Sequence, residues 1–239
     1  MTFSLEDYID GTAANARRSL ATYPDHVAVI RQIDEAFAVL LDHVTGRNDH
    51  ATVFAAMSHA DFLAATRLAL GGELPASLAA ARSCVEDALY GFFIHRHPEL
   101  MKVWASRHES DEAKSAVRKN FKYAPMLEDL RKYLQKVGDQ VDVAYQATID
   151  LGAHPNVLKL FMNLKADPSG GYEWQYVNLD KLDVGMALRG VAFAALAALN
   201  TFKEVWPITF GSTAAGRTLQ DIHAAFVALP DISDEEPRS

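Results

Sequence analysis

A single cysteine, Cys84, stands in a chain of 239 residues, so no disulfide can close within it. The N-terminus, "MTFSLEDYIDG", lacks the charged-then-apolar layout of a secretory signal. Both features point to a reducing, cytoplasmic setting. Long hydrophobic runs are scarce. The longest, "GVAFAALAAL" from Gly190 to Leu199, covers roughly half of a membrane span and directly follows Arg189. It reads as a buried helix of a soluble protein, with no membrane partner. Positive charge is also short: a formal net charge of −8 excludes nonspecific binding of nucleic acid or anionic membranes by the surface as a whole. No serine-hydrolase elbow or kinase set is present, and "TFGSTAAGRT" lacks the lysine that a phosphate loop needs. No cofactor is expected.

What the chain has is helical periodicity. Apolar and aromatic residues make up 49% of it, enough to build a sizeable core. In "DHVAVIRQIDEAFAVLLDHV", Val27, Ile30, Ile33, Phe37, Leu40, Leu41 and Val44 recur at helix spacing with charges opposite. Pro24 starts that helix and Gly46 is placed to stop it. Upstream, "SLED" at Ser4 to Asp7 resembles a capped helix start. A helix from about His50 stops at Gly71-Gly72, and Pro75 opens another that reaches about Arg96. The short "GGELP" loop makes these two antiparallel neighbours. Pro98 begins a short helix and Ser110 caps the next. Two further helices are expected to part at Gly138. Around "DPSGG", short runs with alternating Tyr172, Trp174 and Tyr176 predict a hairpin. A long helix from Asp180 to Trp206 follows, ended by Pro207, and a last helix covers about Ser212 to Leu229. The expectation is an all-α bundle of long antiparallel helices, with a small β-hairpin inserted before the penultimate helix. Residues 1–229 form one domain, and 230–239 an acidic, disordered tail.

Three polar constellations stand out. In "GFFIHRHPELMKVWASRHES", His95, Arg96 and His97 precede Pro98, where cations complement the exposed carbonyls of a helix end. No His-x₃-His or Glu-x-x-His pair is there to bind a metal, so none is expected. The second is a buried polar cluster: Arg82, Glu86 and Asp87 on one helix, with Arg189 interrupting the most apolar helix. A lone arginine there is expected to meet the carboxylate of Glu86 or Asp87, either as a structural ion pair or as part of a site. The third is a basic stripe. Lys114, Arg118 and Lys122 recur every four residues, within a stretch from His95 to Lys136 holding ten Lys and Arg against six Asp and Glu. That stripe is either a nucleic-acid-binding face or a solvated surface.

"LAAARSCVEDALYGFFIHRHPELMKVWASRHES", then "AVRKNF" and "IDLGAHPN", resemble an uncharacterised family of bacterial helical proteins. The positions that carry the resemblance are Arg82, Ser83, Glu86, His95, Pro98, Trp104, Arg107, His108, Gly152, His154, Pro155 and Asn156. They cover most of the chain beyond Phe62, and the resemblance implies no activity. A looser similarity is to HEPN-type domains, helical bundles that include RNA-cutting toxins whose motif joins an arginine to a histidine four to six residues later. Arg217 and His223 have that spacing, although a threonine follows Arg217 where asparagine or aspartate is usual. That resemblance implies a metal-independent ribonuclease acting as a dimer, with Arg217 stabilising the scissile phosphate and His223 as acid or base. The residues themselves show no demonstrable catalytic constellation. They favour a soluble bacterial binding or interaction protein, in a stress or defence setting, whose partner is a protein, RNA or a second copy in a homodimer.

Overall fold

Ser4 opens the first helix through a reciprocal cap: its hydroxyl accepts from Asp7 N at 3.0 Å, and Asp7 Oδ2 accepts from Ser4 N at 3.1 Å. The computed structural model describes residues 4–45, 49–153, 157, 160, 163–166, 170–212 and 214–230, with only the backbone at 152, 153, 208, 211, 212 and 214–217. Gly46, the tail beyond Pro230, and His154, Pro155 and Asn156 lie outside the described residues.

In chain order come α1 (Leu5–Thr22), α2 (Pro24–Val44), α3 (Ala51–Gly71), α4 (Leu74–Arg96), α5 (Leu100–Ala105), α6 (Asp111–Asn120), α7 (Tyr123–Tyr133) and α8 (Gln135–Thr148). Helix α8 runs into a π-helical turn, Ile149–Ala153. Strands β1 (Leu164–Ala166) and β2 (Tyr172–Trp174) then pair antiparallel, with Leu164 opposite Trp174 and Ala166 opposite Tyr172. Last come α9 (Lys181–Val205), α10 (Pro207–Ser212) and α11 (Ala214–Val227). The fold is all-α with one hairpin ahead of the long helix, as the periodicity indicates. Pro207 both ends α9 and opens the short α10, a helix the sequence reading left unassigned between Trp206 and Ser212.

Helix α4 is the axis of the bundle. It packs antiparallel to α3 across the tight Gly71–Glu73 turn, and α9 lies along its other side. Helix α9 is buried on most of its circumference because its core positions are small: Ala187, Ala192, Ala194, Ala195, Ala197 and Ala198 let α3, α4 and α8 approach closely. By length and composition it is apolar enough to cross a membrane. However, 67% of its most apolar window is buried within the protein, as in a soluble protein's core helix. Phe37, Phe54, Phe62 and Phe202 are sequestered completely between these helices, each contributing about 1.5–3 kcal/mol of burial.

Gly138 is not a helix break. The chain turns at Leu134 instead, and Gly138 sits buried in the first turn of α8. A side chain there would collide with Arg131 Cγ, so the glycine permits α7 and α8 to close on each other. Gly72 has the opposite role. At φ 86° it is the left-handed cap that ends α3, with its N–H bonded to Ala69 O at 3.1 Å. Its carbonyl accepts from Asn178 N at 2.9 Å, which straps the segment between the hairpin and α9 onto the α3–α4 turn. Asn178 continues the strap by donating to Asp183 Oδ2 at 2.7 Å and accepting from Asp180 N at 2.8 Å.

Candidate functional site

The cation-rich end of α4 is structural. His95 Nδ1 meets Asp49 Oδ2 at 3.1 Å, and the same carboxylate accepts from Trp206 Nε1 at 3.1 Å and, through Oδ1, from Ala51 N at 2.9 Å. Asp49 thereby ties the start of α3 to the end of α4 and to α9. Arg96 and His97 both reach Asp129 Oδ2 at 3.3 Å, and Arg96 also donates to the Tyr133 hydroxyl. Trp104 packs edge-on against Phe54, with ring centroids 4.9 Å apart. His97 is partly exposed. Each cation has a local acid, which accounts for the crowding.

One helical turn after another, α4 presents Arg82, Glu86 and Tyr90 on one face. Arg82 Nε donates to Glu86 Oε1 at 2.9 Å, and its NH2 donates to the Tyr145 hydroxyl at 2.9 Å. Tyr145 stacks on Tyr123 with centroids 3.7 Å apart, and Tyr123 donates to Asp142 Oδ1 at 3.1 Å. Arg131 closes the series with a 2.9 Å bond to Asp142 Oδ2. This half-buried chain of alternating charges and phenols clamps α7 and α8 to α4. Below it, Tyr90 stacks on Phe121 at 5.1 Å.

On the neighbouring face, Asp87 meets Asp61 of α3. Burial, then the charges of Asp61 and Glu86, push the Asp87 carboxyl up to about 7, and burial raises Asp61 as well. Among the described residues no donor reaches the buried Oδ2 of Asp87. When protonated, Asp87 is itself the donor, to Asp61. Asp61 had a signal in the sequence, as the one acid within the small and apolar run "AAMSHADFLAATRLAL". Close by, burial pushes the Cys84 thiol up to about 12, and Ser58 holds its sulfur at 3.2 Å. The thiol is therefore protonated and unreactive. No three His, Cys, Asp or Glu among the described residues are disposed to hold a metal ion.

Arg189 does not join this cluster, which corrects the sequence expectation. It faces α11 rather than α4, because Gly190 takes the position turned towards α4, against Leu78. Its NH1 donates to Leu229 O at 3.4 Å, and its guanidinium lies over the Phe226 ring at 5.3 Å. It is only half-buried and strands no carboxylate. Arg189→Ala is therefore expected to cost about 1 kcal/mol, well below the loss for a broken buried ion pair. Urea unfolding of the two proteins measures the difference.

The basic stripe is also rearranged. Lys114, Arg118 and Lys122 are all exposed, but α6 ends at Asn120 and Phe121 turns inward onto Tyr90 and Phe93. Lys122 thus lies in extended chain beyond the helix and does not share its face. His223 is half-buried on α11, within hydrogen-bonding reach of Asn200, whose Nδ2 donates to Gln140 Oε1 at 2.7 Å. Burial and the charge of Lys203 lower its pKa, favouring the neutral ring. Arg217 lies on the same helix, and its side chain is outside the described residues.

The feature that sequence reading passed over as a mere hairpin signal is the exposure of its aromatics. Tyr172, Trp174 and Tyr176 are 74%, 46% and 62% exposed, and Leu179, Leu182 and Met186 just beyond are also exposed. Strand alternation puts Tyr172 and Trp174 on one face. The hairpin has only two strands, so it cannot cover that face itself. Compared with models of protein families, with curated proteins and with solved structures, the chain matches none of them.

Proposed function

We propose that this chain is a cytoplasmic interaction protein that binds another polypeptide through the hairpin and the first turns of α9. The observation that carries this reading is the concentration of six large apolar side chains, three of them aromatic, exposed between Tyr172 and Met186. Large exposed apolar side chains gathered in one segment mark association sites. Tyrosine and tryptophan are the residues that most often dominate such interfaces, because they bury large area at little conformational cost. The strap from Gly72 to Asn178 supports the reading, since it anchors this surface to the rigid α3–α4 turn. In this reading the Arg82–Glu86–Tyr145 cluster is scaffold, each member being engaged by another part of the protein.

The test is co-purification from cells that produce the protein, using tagged wild type and a Tyr172→Ser, Trp174→Ser, Tyr176→Ser variant. The wild type is expected to bring down a stoichiometric partner, or to elute at twice its own mass if the partner is a second copy. The variant should lose that association while its thermal midpoint stays within about 2 °C, because exposed positions contribute little to stability. Retention of the partner by the variant would reject the hairpin as the interface.

RNA as a partner has one supporting observation: exposed Lys114, Arg118 and Lys122 belong to no ion pair among the described residues. Binding through them should weaken steeply with salt. A ribonuclease would in addition need His223, and loss of RNA cleavage in His223→Ala is the outcome that would favour it.

A further inference from the structure

Between α4, α8 and α9 the packing leaves a recess of about 500 Å³. We propose that it binds a neutral, apolar small molecule the size of one aromatic ring with a short chain. The volume falls within the range of about 300–1,000 Å³ that small-molecule sites occupy, and the spaces between the helices of a bundle are a usual place for them. The recess reaches into the core. Leu78, Ala144, Thr148 and Ala187 line it, and none of them is more than 2% exposed. Small residues on neighbouring helices account for the space: Ala144 on α8, and Ala187 and Gly190 on α9.

The backbone at its edge is an independent observation. Helix α8 widens into the π-helical turn Ile149–Ala153, and Leu151 of that turn is part of the lining. Such turns are rare and concentrate at functional sites. This one packs on α4, which holds the wall it makes in place. Phe193 makes another preformed wall, its ring stacked on Phe226 with centroids 6.0 Å apart.

The chemistry of the lining selects the ligand. Its polar groups are engaged within the protein: Thr148 Oγ1 donates to Tyr145 O at 2.7 Å, and Asp183 Oδ2 accepts from Asn178 Nδ2 at 2.7 Å. Water in the recess finds few partners, and an apolar molecule displaces it with little loss of hydrogen bonding. Asp183 is the one charged residue of the lining among the described residues, and its carboxylate repels an anion. At the mouth Met186 and Ala147 are exposed, and the flexible thioether adapts to the shape of what enters.

Calorimetric titration with phenylbutanol and with phenylbutyrate, which share a carbon skeleton and differ in charge, tests this. The alcohol is expected to bind saturably below about 5 mM. The carboxylate should bind roughly tenfold more weakly or worse, because it brings a second negative charge beside Asp183 into an apolar space. Ala147→Phe closes the mouth from an exposed position, and Ala187→Leu fills the recess from its floor. Each should weaken the alcohol by roughly tenfold or more, with a retained thermal transition showing that the variant folds. Ala60→Phe, an exposed change on α3 outside the lining, should leave the affinity unchanged. Absence of saturable alcohol binding at about 5 mM would overturn the proposal, as would binding that the folded filling variants leave unchanged or that Ala60→Phe removes. Equal or tighter binding of the carboxylate would overturn the assignment of a neutral ligand.

Discussion

Gly72→Ala is expected to destabilise the protein by about 2–4 kcal/mol. Two costs combine. The φ of 86° is one that alanine adopts only with strain. The added carbon would also lie 2.7 Å from Asn178 O and 2.9 Å from both Leu179 Cδ2 and Val177 Cγ1. The first of these is backbone, and it belongs to the strap that holds the hairpin and the start of α9. Relief of the clash must push the strap away and break the Asn178 N to Gly72 O bond. The consequence therefore reaches function: loosening the strap should weaken partner binding even at temperatures where the variant is folded. Thermal unfolding gives the stability change, and a midpoint within about 1 °C of wild type would mean that the strap does not press on the turn.

Asp87→Asn is expected to act in the other direction, raising stability at pH 8 by about 1–3 kcal/mol and leaving it unchanged near pH 4. The folded-state pKa of Asp87 lies at about 7, above its ordinary value of 3.8. Between those values the folded protein holds a proton that the unfolded chain has released. Its contribution is thus fully present below the unfolded pKa and is lost as pH rises towards 7. The interval corresponds to at most ~4 kcal/mol, and partial exposure of the carboxyl reduces it to the range given. Asparagine offers Asp61 the same donor at every pH, so the variant should not share that loss. Comparing the two proteins across pH 4 to 8 cancels the other titrating groups, among them His26 and His223, whose lowered values have the opposite sign. A variant that is less stable than wild type at pH 8 would show that ionised Asp87 is held by donors, and the carboxyl pair would be wrong.

Helices α2, α3, α4 and α9 were legible in the sequence because their signals are local: apolar spacing, Pro24 and Pro75 at helix starts, Pro207 after the end of α9, and the Gly71-Gly72 stop. Gly138 was misread because a glycine at a break and a glycine under a crossing side chain look alike until Arg131 is seen lying over it. The candidate sites were less legible. Arg82 and Glu86 share a helix, so their contact follows from spacing of one turn. Their third partner, Tyr145, is 59 residues beyond Glu86 in the chain and no local rule selects it. Arg189 went to Phe226 and Leu229 instead of Glu86 because helix rotation, set by Gly190 packing on Leu78, decides which neighbour a residue meets. Exposure of Tyr172, Trp174 and Tyr176 could not be read from alternation, which marks two faces of a strand without saying whether either is covered.

Site-specific photocrosslinking in living cells tests the interaction reading most directly. A benzophenone amino acid placed at position 174, and in a second protein at position 172, should give one discrete adduct of higher mass. The same group at Val143 or Met57, which are exposed apolar positions away from the hairpin, should give none. No adduct at 172 or 174, or equal adducts at all four positions, would contradict the assignment of the hairpin as the binding surface.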